Sequence, residues 1–202
     1  MTPILSFNLS GKVLLQMNCK LGGELWGCNV PIPGLMVIGM DIYRDKVGGR
    51  SVAGIVTTLN GTFGKYWSQV VFENKESKEA RQGFMGEVCK AVCNSVKQYA
   101  EANDGVFPEK IVIYRDGVNA GQYSIAKKEA MALTEAIDEI YTSPGGAAKP
   151  LPRPNIAVVI VQKRIKTRIY LLDAGAVQNP CAGTVLDHDI TMRDLYDFYL
   201  VS

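Results

Sequence analysis

Residues 110–122 read KIVIYRDGVNAGQ. Ile111, Val112, Ile113 and Tyr114 run without a polar break, the pattern of a strand covered on both faces. Arg115 and Asp116 follow where that strand should stop, Gly117 breaks the pattern, and a helical stretch opens near Gly121. Asp116 is therefore expected at the carboxyl end of a buried strand, at the mouth of a strand-to-helix turn, where open α/β sheets bind ligands. A second aspartate, Asp41, interrupts the apolar run 35–43, LMVIGMDIY, where an unpaired charge is costly. Such an aspartate caps the next helix, pairs with a neighbouring arginine or binds a ligand. Two of them, in two hydrophobic strands, suggest a divalent-metal site.

At 202 residues the chain can hold one good-sized core, or one domain with a piece of another. Hydrophobic residues make up 47% and charged residues 21%, an ordinary globular balance, and no apolar run approaches a membrane span. The opening MTPILSFNLSGK has no basic leader ahead of an apolar block. Five cysteines show neither CxxC pairing nor a Cys/His metal spacing; Cys89 and Cys93, four apart, fit two thiols on one buried helix face. A reducing compartment, cytoplasm or nucleus, follows. The net charge of +2 does not by itself announce a nucleic-acid binder. Lys163, Arg164, Lys166 and Arg168 cluster after the apolar run IAVVIVQ, as a phosphate-binding stretch or a solvated strand end.

Along the chain, residues 13–20 (VLLQMNCK) should finish a helix, with Gly22 and Gly23 as its stop. Three strand-like runs follow, 35–43, 51–59 and 66–72, whose short connectors, one with an Asn-Gly signal, favour antiparallel hairpins. Residues 77–102 turn helical, with Phe84, Val88, Val92 and Val96 at four-residue spacing, and 103–105 stop them. A second helix is expected over 123–141, then a strand over 156–161, with 168–172 pairing to it. Residues 183–186 and 198–201 supply two short apolar runs. Three antiparallel strands, then helix, strand, helix and strand, are the order of a ribonuclease-H-like mixed α/β sheet. Because YDFYLVS ends the sequence on an uncovered apolar strand, that fold is expected to be incomplete at the C-terminus.

The blocks QMNCKLGGE, MVIGMDIYRD, SVAGIVTTLN, KIVIYRDGVNAGQ, VVIVQKR, GTVLDHDIT and YDFYLVS, in that order, resemble the PIWI domain of the Argonaute and Piwi proteins, nearer the Piwi branch. The resemblance implies that residues 1–34 are the end of a MID domain and its connector, and 35–202 a C-terminally truncated PIWI domain. It also implies a small guide RNA and a complementary target RNA as partners, silencing-factor proteins as further ones, and no membrane. Cleavage of the target would use Mg2+ or Mn2+. Magnesium prefers hard carboxylate oxygens, and Asp41 and Asp116 match the family's two metal-binding aspartates. Glu79 best fits the family's glutamate, although Gln82 stands where an acid is common, so Glu76 and Glu87 remain candidates. Asp45 fits less well.

The family's fourth ligand, a His or Asp, lies beyond YDFYLVS; His188, in LDHDIT, falls where the family has a structural turn. Lys20, with Gln16 one helical turn earlier, matches the site for the guide's 5′ phosphate, an ammonium beside exposed backbone amides. Lys163, Arg164 and Arg168 match the guide channel. The implied activity is a guided RNA endonuclease acting in gene silencing. The alternatives are a guide-dependent RNA-binding protein that does not cut, and another ribonuclease-H-like nuclease acting on DNA.

Overall fold

The computed structural model describes residues 4–44, 49–73, 80–118, 120–142, 151–163, 165–173, 175–193 and 196–202. The chain divides into two units, Met1–Gln162 and Lys163–Ser202. In the first, β1 (Leu35–Arg44), β2 (Ser51–Thr58) and β3 (Tyr66–Phe72) form an antiparallel meander. Strand β4 (Lys110–Asp116) joins β1 in parallel and β5 (Asn155–Val161) joins β4 in parallel, so the sheet order is β3-β2-β1-β4-β5. A parallel neighbour needs a crossover where an antiparallel one needs only a turn. Helix α2 (Ala80–Ala102) leads from β3 to β4 and α3 (Tyr123–Thr142) from β4 to β5. This is the element order expected from the sequence.

Both helices bury one face of the sheet. Val88, Val92 and Val96 of α2 and Leu133 and Ile137 of α3 are fully buried against Met36, Ile38, Ile55, Ile111 and Ile113. Each such side chain contributes about 1.5–3 kcal/mol by leaving water, which fixes the face that β1 and β4 turn toward the helices. Tyr141 closes the far end: its hydroxyl donates to the Pro108 carbonyl at 2.7 Å, and its ring meets Phe107 edge-on.

Strand alternation sends the residues in between to the opposite face. There Val56 and Tyr114 are each 45% exposed and Phe72 71%. The expectation that β4 is covered on both faces is thus corrected. Val112 and Tyr114 occupy outward positions, so the apolar run conceals a period of two.

Helix α1 (Ile4–Lys20) begins nine residues before the stretch read as helical from sequence. Its stop is a Schellman cap: Gly22, at φ +84°, donates to the Cys19 carbonyl, and Gly23 to that of Asn18. The connector that follows is strapped to the β2–β3 loop. Glu24 Oε2 accepts from Asn60 Nδ2 at 3.0 Å and Thr62 Oγ1 at 2.9 Å, and the Cys28 amide donates to the Thr62 carbonyl at 2.8 Å. Helix α2 ends where expected, with the Gly105 amide donating back to Ala100.

In the second unit, β6 (Leu171–Asp173) and β7 (Ala176–Gln178) pair antiparallel, as do β8 (Val185–Leu186) and β9 (Tyr199–Leu200). Residues 168–172 therefore do not pair with β5 as expected. Gly175, at φ +83°, lets the chain turn back at once, and a local hairpin closes a shorter loop than a return to the sheet.

Candidate functional site

Asp41 is the seventh residue of β1, and Asp116 is the seventh and last of β4. The two strands run parallel with Leu35 opposite Lys110, so equal offsets bring Asp41 directly opposite Asp116. In-register residues of neighbouring strands project to the same side. That side is the one away from α2 and α3, because Met40 and Arg115, each one residue earlier, are buried on the helix side. Asp41 is solvent-exposed and Asp116 half-buried. The sequence reading placed Asp41 as a buried charge; its carboxylate instead keeps water access, because it occupies an outward position of the sheet.

Gly117 shapes the space between the two. It holds φ +82°, a conformation that costs a residue with a Cβ about 1–2 kcal/mol. A Cβ there would lie 3.1 Å from Asp41 Oδ1, so the missing side chain leaves the Asp41 carboxylate its place beside the turn. The Gly117 amide donates to Asp116 Oδ1 at 2.8 Å. Just beyond, Gln162 Nε2 donates to the Val118 carbonyl at 3.2 Å and to the Tyr123 hydroxyl at 3.0 Å, tying the end of β5 to the turn after β4.

Behind the carboxylates, Arg115 projects to the helix side with its side chain 8% exposed. Its Nε donates to Glu129 Oε2 of α3 at 3.0 Å, and its Nη1 to the backbone carbonyl of Asp116. Sequence reading did not single out Glu129. Its signal was a charged residue at the fourteenth position after Arg115, inside the apolar pattern of a helix.

The remaining candidates stand apart. Glu76, Glu79 and Asp45 lie outside the described residues, as does Arg164. Glu87 is on an exposed face of α2, paired with Lys90 at 2.7 Å. Gln16 and Lys20 are exposed one turn apart on α1. The Leu21, Gly22 and Gly23 amides beside Lys20 donate to carbonyls of the helix end, so the exposed amides expected there are spent on the cap. In the second unit Lys163 is exposed, and Arg168 Nη1 donates to the carbonyls of Ile165 and Thr167 at 3.1 Å. His188 lies 2.8 Å from Asp187 Oδ1 and 3.7 Å from Asp189 Oδ2. Its hydrogen bond to Asp187 and the nearby Asp189 charge raise the imidazole's pKa. The Cys93 thiol is pushed up to about 11, chiefly by burial, which disfavours its thiolate.

Among the described residues no three His, Cys, Asp or Glu side chains come together as a metal cluster. Asp41 and Asp116 supply two adjacent anionic oxygen donors, a set that suits a hard divalent cation, and Gly117 leaves room beside one of them. None of the described helices is long and apolar enough to cross a membrane.

The Piwi domain family model matches residues 6–202. The silkworm Bombyx mori Piwi-like protein Ago3 is 37% identical over 196 residues, which are 96% of this chain and 20% of that protein. The crystal structure of Drosophila Piwi superposes with a TM-score of 0.76 at 28% identity, over 100% of this chain and 25% of that one. Kluyveromyces polysporus Argonaute, solved with a guide RNA, superposes with a TM-score of 0.68 at 22% identity, over 90% of this chain and 23% of that one. The mixed sheet is therefore the ribonuclease-H-like fold. The chain spans about a fifth of the length of the curated relatives it matches.

Proposed function

Because this chain belongs to the Piwi domain family, we propose that it serves small-RNA-guided silencing by binding guide and target RNA, with an endonuclease centre at Asp41 and Asp116. One observation carries the catalytic part: the in-register pairing of these two aspartates on an outward face of the sheet. Asp41 and Asp116 would hold Mg2+ or Mn2+, with Glu79 as the further acid. When bound, such ions activate a water at the scissile phosphate and stabilise the leaving oxygen.

The chain's own residues do the positioning. β1 and β4 fix the spacing of the two carboxylates, and the Gly117 amide orients that of Asp116. Since Asp41 is open to solvent, an RNA backbone has access to it from the sheet face. On this reading residues 1–34 are the end of a MID domain. Lys20 and Gln16 then meet the guide's 5′ phosphate through side chains alone, the neighbouring amides being engaged. Lys163, Arg164 and Arg168 would line the guide channel.

Guide-dependent binding without cleavage is the alternative reading. The test is magnesium-dependent cutting of a guide-paired RNA by the protein and by its Asp116→Ala form. Loss of cutting in the variant supports the nuclease centre. Equal cutting by both removes it, and tight guided binding with no cutting by either leaves the silencing role to partner proteins.

A further inference from the structure

We propose that Arg115 is a positioning residue for Asp116, gripping it from the helix side of the sheet; the catalytic meaning of this grip rests on the nuclease reading above. Arg115 is buried, and its guanidinium has two partners in different elements. Nε–H reaches the Glu129 carboxylate on α3 at 3.0 Å, and Nη1–H reaches the backbone carbonyl of Asp116. A guanidinium removed from water must be paired, and Glu129, itself only 18% exposed, supplies the opposite charge. With Nε thereby fixed, the planar fork leaves Nη1 aimed at the last residue of β4. The chain leaves the sheet at that residue: Gly117 turns at φ +82° and donates to Asp116 Oδ1. Asp116 is laddered to Asp41 on one side and to Val161 on the other, and the fork adds a hold from the helix face at the residue where the chain turns away. The fork thus couples α3 to the rotation of the Asp116 side chain on the opposite face.

A lysine keeps the charge but is a single compact donor group that does not present a fork, so it can satisfy Glu129 while leaving the Asp116 carbonyl. Arg115→Lys is therefore the informative variant, and Glu129→Gln, which keeps an acceptor for Nε, is the second should the first fold poorly. Amide exchange by NMR reads the grip directly. In Arg115→Lys the Gly117 amide should exchange about tenfold faster, the value of one hydrogen bond, with the Ile113 amide unchanged. Glu129→Gln should move the same amide in the same direction by a smaller factor. An unchanged Gly117 amide in both variants, or equal acceleration at Ile113, would overturn the grip.

Manganese binding followed by electron paramagnetic resonance reads its consequence, with about tenfold weaker affinity expected in Arg115→Lys on the same scale. Native affinity in that variant, with a faster Gly117 amide, would overturn the positioning role. If Asp116→Ala binds manganese as well as the native protein does, the metal reading fails instead, and the Gly117 amide still judges the grip.

Discussion

Replacing Asp41 with asparagine changes charge with almost no change of shape, which isolates the electrostatics of the paired carboxylates. Neighbouring strands lie about 4.8 Å apart. Two like charges about 5 Å apart repel by about 0.8 kcal/mol in water and about 3 kcal/mol at an effective dielectric near 20. Asp41 is exposed, so the lower end applies, about 1 kcal/mol at low ionic strength. In metal-free buffer Asp41→Asn should therefore stabilise the protein by about that amount, raising the thermal midpoint by about 2–4 °C. Magnesium should reverse the ranking. At ten times its Kd it stabilises the native protein by about 1.4 kcal/mol, while the variant, with one of the anionic donors gone, should gain much less. Asp41 is preferred to Asp116 for this purpose, because Asp116 also accepts the Gly117 amide and its replacement would mix charge with a lost hydrogen bond. The assay is thermal unfolding of both forms at low salt, in EDTA and across a magnesium series, and the two sets of midpoints should cross. Equal magnesium gains, or a metal-free midpoint that falls on substitution, would refute the claim that these carboxylates are close enough to repel and to share an ion.

Two further outcomes follow from the same region and from the connector. Gly117→Ala places a Cβ at φ +82°, 3.1 Å from Asp41 Oδ1, and should cost about 1–2 kcal/mol in denaturant unfolding and weaken magnesium stabilisation as well. A loss under about 0.5 kcal/mol, the range of an ordinary surface change, would mean the turn is not constrained as described. Hydrogen bonds from Thr62 and then Asn60 hold the Glu24 carboxyl below its ordinary value of 4.5. The folded state therefore binds that proton less readily than the unfolded one, so the strap is complete above pH 4.5 and is lost as pH falls through the lower folded value. The Asn60 and Thr62 side-chain NMR signals should titrate with a midpoint below 4.5 and lose that titration in Glu24→Gln; a midpoint at or above it would contradict the strap.

The aspartate pair was legible in the sequence because Asp41 interrupts the apolar run 35–43 and Asp116 arrives where the apolar run 111–114 should stop. Register was not: nothing local says that Leu35 lies opposite Lys110, and a slip of one residue would have sent one carboxylate into the helix-covered core. What decides it is the apolar set on the helix side. Met36, Ile38 and Met40 must meet α2 and α3 together with Ile111 and Ile113, and the observed pairing buries all of them while leaving both aspartates outward, which a slip of one residue would not. The same core explains why the sequence misled about burial. Outward positions such as Val37, Val112 and Tyr114 are apolar too, and they turn an alternating strand into an apparently continuous run. The Arg115–Glu129 pair was hidden for a different reason. A charged residue inside an apolar helix pattern reads as solvent-facing until the partner strand is known, and that partner is supplied by a crossover whose geometry no short window contains. A polar residue on the covered side of a strand is costly enough to need a partner. Arg115, sitting one position before the aspartate and therefore on the other face, was the residue whose cost pointed to α3.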